Sequence, residues 1–203
     1  MSSIQVVRLL EAAFGRAVPE TGPGGRAHLV AGSLLGALGL AALWGLAAGS
    51  ASVAQAASSG FKAPLVLLMS ALTALPAGVL AVKLTGGGMR ARDLVAAFAS
   101  ALLGGALVLA ALAPIVAIYF HTSARYGIEL GIGSVLAALS IGALVLIRNL
   151  RARLLPKAST AAAWLPAALL CALFAVALIQ FIALASPILS GPTGFDGGID
   201  RLW

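Results

Sequence analysis

The chain has 203 residues, of which 61% are apolar and only 9% charged, with a mean hydropathy of +1.07. A soluble domain carries about 25% charged residues to keep its surface in water, so this composition excludes a soluble fold and places most of the chain in hydrocarbon. The net charge of +7 is the usual footprint of a phosphate binder, but the thirteen basic residues sit mainly in short stretches between apolar blocks, as the positive-inside rule distributes them; nucleic acid is not an expected partner.

From Ser2 to Val18 the pattern is helical. Val6, Leu9, Leu10, Ala13, Phe14, Ala17 and Val18 share one face, and Gln5, Arg8, Glu11 and Arg16 the other. Ser2 with Gln5 fits a capping box, and Pro19 followed by the Thr21–Gly25 run stops the helix. It is too short and too charged to span. Residues 1–28 therefore read as an amphipathic helix in the membrane interface plus a linker; docking of that helix on the protein's own membrane domain or on a partner is the alternative.

Five apolar blocks follow, within residues 29–185. Segment one, Leu29–Ala48, holds twenty residues, enough to cross a ~30 Å core. Beyond it Ala54-Gln55-Ala56 has the look of a signal-peptidase site, but the 28 residues before the block fold plausibly, so it is kept as a span. Segment two runs from Pro64, read as a first-turn proline, to Leu84, with a kink expected at Pro76. Segment three runs from Leu94 to Phe120, with Asp93 placed to cap it and Pro114 bending its far end. Segment four covers Ile128–Ile147, with Glu129 in its first turn, where the helix dipole favours an anion. Segment five covers Ala161–Ala185 and stops before Pro187. Residues 186–203 read as an irregular tail.

Ten basic residues flank one side of these blocks, from Arg8 to Lys157, and three the other (Lys62, Arg125 and Arg201). That asymmetry places the N-terminus in the cytoplasm and the tail outside. Trp44, Trp164, Tyr119, Tyr126 and Trp203 fall near span ends, as interfacial anchors should. High Ala, Gly and Arg usage with little Lys points to a GC-rich bacterial genome, hence an inner membrane. The expected fold class is all-α: a polytopic transmembrane helix bundle of five spans with an N-terminal interfacial helix.

The midsections of these spans contain no Asp, Glu, Lys, Arg or His. Intramembrane ionisable groups usually mark proton relays, ion paths or substrate sites. The two histidines, His28 and His121, flank opposite ends of the spans, so they cannot ligate one metal or haem within a subunit. They stand as weak candidates for cofactor contact, each with a partner chain supplying the rest. The lone Cys171 lies inside an apolar block and forms no disulfide within the chain. Ser70, Thr73, Ser100, Ser134 and Ser140 lack a base at their depth and are expected to bond a carbonyl one turn back. Gly86-Gly87-Gly88 lacks the GK[ST] ending of a phosphate loop and reads as a turn. No catalytic residue, metal site or cofactor is expected. The abundant signal is packing material: the pairs Gly32/Gly36, Gly45/Gly49 and Gly127/Gly131 repeat the spacing that lets helices approach closely, and Gln180 is a candidate interhelical hydrogen-bond partner.

Phe61-Lys62-Ala63-Pro64, Thr73-Ala74-Leu75-Pro76 and the post-span Ser186-Pro187-Ile188-Leu189-Ser190-Gly191-Pro192 resemble small bacterial membrane proteins related to the Yip1 family. The resemblance covers segment two and the tail. It implies five spans with the N-terminus inside and a non-enzymatic role in membrane organisation or complex assembly, and brings no catalytic residues. The expected function is a structural or accessory subunit, or an assembly factor, of a larger membrane complex, with lipids and other integral membrane subunits as partners. A small transporter or channel is the first alternative; a pigment- or haem-binding subunit of an energy-converting complex is the second.

Overall fold

The computed structural model describes residues 23–85, 89–153 and 161–189, together with Val7 and Glu11. The amphipathic helix expected over residues 2–18, the Gly86–Gly88 turn, Trp203 and the rest of the tail beyond Leu189 lie outside the described residues. Among the described residues every regular element is helical: α1 (Pro23–Ala48), α2 (Val53–Thr85), α3 (Ala91–Thr122), α4 (Ala124–Arg153) and α5 (Ala161–Ala185). All five are long and apolar enough to cross a bilayer. By length and composition this is a multi-pass membrane protein.

Four helix starts differ from those read off the sequence, and each difference has a local cause. α1 begins at Pro23, where a proline costs nothing because a first-turn N–H has no helical partner. α2 begins at Val53, so Pro64 is an interior proline and not a first-turn one. The start is set by Ser52, whose Oγ accepts the Gln55 N–H at 3.1 Å, an N-cap bond. α3 starts after Arg90, and Asp93 caps it from inside the first turn, accepting the Arg90 N–H at 3.3 Å. α4 starts at Ala124, which moves Glu129 out of the first turn; its carboxylate instead accepts from Arg125 Nε at 3.2 Å, one turn back. Pro76 and Pro114 lie inside continuous helices, as do Pro64 and Pro166. Segment five coincides with α5.

In hydrocarbon, helices gain little from greasiness alone, and close backbone approach decides how they pack. α3 is the centre. Every residue from Ala97 to Ala106 is buried, so this helix is covered on all sides, with α1 and α4 as its main neighbours. A Cβ on Gly105 would sit 2.9 Å from the Ala138 carbonyl oxygen and one on Gly142 3.3 Å from the Ala101 carbonyl oxygen, so α3 and α4 touch backbone to backbone. The α1–α2 hairpin closes the same way, because Gly45 and Gly49 leave no room for a side chain against the backbone of Ser59 and Gln55. α2 in turn carries α5, with Gly78 receiving Leu170. The helices thus follow the order α5, α2, α1, α3, α4 around the bundle, and α4 meets α5 along a much thinner seam than the other neighbours share.

The glycine pairs serve different ends. Gly45/Gly49 is an interhelical contact, and Gly36 accepts Leu103 of α3. Gly127 accommodates the Phe120 ring across the one-residue turn at Ser123, and Gly131 receives Leu189 of the tail. Gly32 is half-buried on α1. The α3–α4 backbone contact uses Gly105 and Gly142, each four residues from a contacting alanine, Ala101 and Ala138, so the spacing is Ala-x-x-x-Gly and not Gly-x-x-x-Gly.

Two substitutions separate close approach from mere glycine content. Gly45→Val forces α1 from α2 and is expected to destabilise the detergent-solubilised protein by about 1–3 kcal/mol, the usual cost of overpacking. Gly39 faces open space, so Gly39→Ala changes stability by no more than about 1 kcal/mol, and upward. Thermal unfolding of both variants beside the parent checks this.

Candidate functional site

Ionisable side chains among the described residues gather at the two ends of the bundle. One end carries Arg26, His28, Lys83, Arg90, Arg92 and Asp93, with Arg148, Arg151 and Arg153; the other carries Lys62, His121, Arg125 and Glu129. At the first end Asp93 Oδ1 accepts from Arg26 Nη1 at 3.1 Å and lies 3.6 Å from Arg153 Nη1. One carboxylate thereby ties the starts of α1 and α3 to the end of α4. Arg151 lies 4.9 Å from the centre of the Trp164 ring, a cation–π contact that links α4 to α5. His28 and His121 are both exposed, at opposite ends. No group of three or more metal-ligating side chains occurs among the described residues.

The aromatic residues divide. Trp164, Tyr119 and Tyr126 are exposed near helix ends, with the two tyrosines edge to face at 6.5 Å. Trp44 is no interfacial anchor. It is 6% exposed and its Nε1 donates to Ser134 Oγ at 2.9 Å, while that hydroxyl donates to the Gly131 carbonyl at 2.7 Å. An indole N–H buried in hydrocarbon needs an acceptor, and Ser134 supplies it across the bundle. Four of the hydroxyls picked out from the sequence bond the carbonyl one turn back as expected: Ser70 to Val66, Thr73 to Met69, Ser100 to Ala96 and Ser140 to Leu136, at 2.7–2.9 Å, whereas Ser33 Oγ, buried in α1, has no partner among the described residues.

A laterally open cavity of about 510 Å³ is set into the bundle, lined by side chains from all five helices and by Ile188 and Leu189 of the tail. Its deep wall is Trp44, Phe98 and Leu102; its flanks are α4 from Gly131 to Leu146 and α5 from Cys171 to Ile182. It lies at the thin α4–α5 seam, where Leu136, itself 58% exposed, lines both the cavity and the outer surface. Its lining draws on both buried clusters of the core, Phe98, Leu102 and Leu146 from one and Trp44, Val66 and Ile188 from the other. The tail closes one end. The Ser186–Pro187 peptide is cis, the Ile188 carbonyl accepts from Ser59 Oγ at 2.6 Å, and the Pro187 carbonyl accepts from Gln55 Nε2 and Lys62 Nζ at 3.2 and 3.3 Å.

Gln180 sits elsewhere. It shares a helical stripe with Val176 and Leu184, which are 46% and 81% exposed, and so faces away from the bundle. Among the described residues its amide has no hydrogen-bond partner, and it lies five residues, about 7 Å, inside the end of α5. No protein-family model, curated protein or solved structure matches the chain, which leaves the resemblance to the Yip1 family without support.

Asp93→Asn removes the charge that holds Arg26 and Arg153. The loss of stability is expected to be about 1 kcal/mol at low salt, because all three side chains keep contact with water, and to shrink as salt is added. Thermal unfolding at two ionic strengths reads both.

Proposed function

We propose that this is a non-catalytic integral membrane protein that serves as an accessory subunit or assembly factor of a larger membrane complex, seated in a bacterial inner membrane with its N-terminus in the cytoplasm. The observation that carries it is Gln180. An amide left without a partner in hydrocarbon costs several kcal/mol, and neighbouring transmembrane helices are where such groups find one. α5 is also the least buried of the five helices, with 22% of its span covered against 44% for α3, so its outer stripe is available to another chain. Ala172, exposed one turn before Val176, lets a second helix come close.

The orientation rests on charge. Seven of the described lysines and arginines lie at the end where α1 begins and two at the opposite end, the bias that keeps a basic rim in the cytoplasm. The cavity is lined almost entirely by Ala, Leu, Ile, Val and Phe side chains, which gives an ion or a polar solute nothing to coordinate and favours the accessory reading over a transporter.

In mild detergent the protein is expected to migrate with other membrane polypeptides, and Gln180→Leu to weaken that association about fivefold, the worth of one interhelical hydrogen bond. A parent protein that runs alone as a monodisperse monomer overturns the proposal. Single cysteines placed at Arg148 and at Arg125 in a Cys171→Ala background report orientation: an impermeant thiol reagent applied to whole cells is expected to label position 125 and spare position 148.

A further inference from the structure

We infer that the cavity is a binding site for one acyl chain of a membrane phospholipid, entered sideways from the bilayer between α4 and α5.

The lining excludes water first. A buried water needs two to four polar partners. The polar groups in the lining are already engaged: the Trp44 N–H is held by Ser134 and the Ser140 hydroxyl by the Leu136 carbonyl. The Cys171 thiol, which also borders the cavity, is a weak donor that cannot hold a water by itself. Ordered water has nothing to bind there. An empty space of this size is also unfavourable, because its walls forfeit the dispersion contacts that packing would supply. About 510 Å³ falls within the roughly 300–1,000 Å³ of ordinary small-molecule sites, so the cavity is built to the scale of a ligand and not to that of a packing fault.

The surroundings then name the occupant. The seam between α4 and α5 lies at the depth of the spans, where the outer medium is lipid tails, and Leu136 and Ile179 stand at its sides. Along α4 the lining runs from Gly131 to Leu146, about 22 Å at the rise of a helix. One leaflet's hydrocarbon is about 15 Å deep, half of the ~30 Å core, so a chain drawn out nearly straight fits this length. The closed end agrees. Ile188 and Leu189, pinned through the carbonyls of Pro187 and Ile188 and seated on Gly131, cap the cavity toward the end where α5 finishes, which leaves the lateral seam as the way in.

Trp44 makes the site readable. It lines the cavity yet is nearly inaccessible from outside the bundle, whereas Trp164 faces outward. Two variants, one retaining Trp44 alone (Trp164→Phe, Trp203→Phe) and one retaining Trp164 alone (Trp44→Phe, Trp203→Phe), are reconstituted into phosphatidylcholine vesicles with and without bromine at mid-chain. Trp44 is expected to lose emission to the same extent as Trp164; emission from Trp44 that brominated chains leave unchanged overturns the inference. Native mass spectrometry of the parent chain, extracted from membranes in mild detergent, is expected to retain one phospholipid mass. Ala175→Phe, which fills the cavity from α5, is expected to abolish both that mass and the quenching of Trp44. Retention of an isoprenoid mass in place of a phospholipid, or of no lipid, overturns the acyl-chain assignment. Should Ala175→Phe fail to fold, the comparison of Trp44 with Trp164 decides the matter without it.

Discussion

Helices in hydrocarbon do not associate because they are apolar, since the lipid they leave is as apolar as the helix they join. What remains is contact area won by close approach and a small number of polar bonds. α3 carries this requirement furthest: ten consecutive residues, Ala97 to Ala106, are buried, and seven of them are Ala, Gly or Ser. Backbone reaches backbone at Gly105 and Gly142. Larger side chains there would hold α3 and α4 apart, and the ring of helices would have no centre to close upon.

The same economy explains why the bundle is not closed evenly. α1, α3 and α4 pack through small residues, and α2 holds α5 through Gly78, but α4 and α5 make far less contact with each other. Leu136, Leu139, Leu178 and Ile182 border the cavity that lies along this seam. Both ends of the bundle are secured by polar contacts instead: Asp93 between Arg26 and Arg153 at one, Ser59, Gln55 and Lys62 on the tail carbonyls at the other. The middle is left to fit by shape alone. An accessory role and a bound acyl chain both use that arrangement, the first on the outward stripe of α5, the second on its inward face.

Placing five long apolar helices required only the sequence, because runs of twenty or more apolar residues have no other stable home, and segment five coincides with α5 for that reason. Helix starts were less legible. Ser52 with Gln55 carries the capping signature and would have placed the start of α2 at Val53, yet Pro64, twelve residues on, offers the louder signal. The hydroxyl bonds of Ser70, Thr73, Ser100 and Ser140 were foreseeable because their partners are four residues away on the same helix.

Everything that depends on which helix faces which was decided by tertiary structure. Trp44 reads as an interfacial anchor from its position near a span end, but its partner Ser134 lies ninety residues away, and no local pattern announces that distance. Gly105 and Gly142 matter because the α3–α4 crossing brings them together, while Gly39, chemically the same, meets nothing. Composition and hydropathy determined the apolar character of the chain, the number of helices able to cross a membrane and the charged rims, since these follow from each residue's own transfer free energy. The cavity, the outward turn of Gln180 and the three-way contact at Asp93 follow from packing between segments far apart in the chain, a property of pairs that no single stretch of sequence contains.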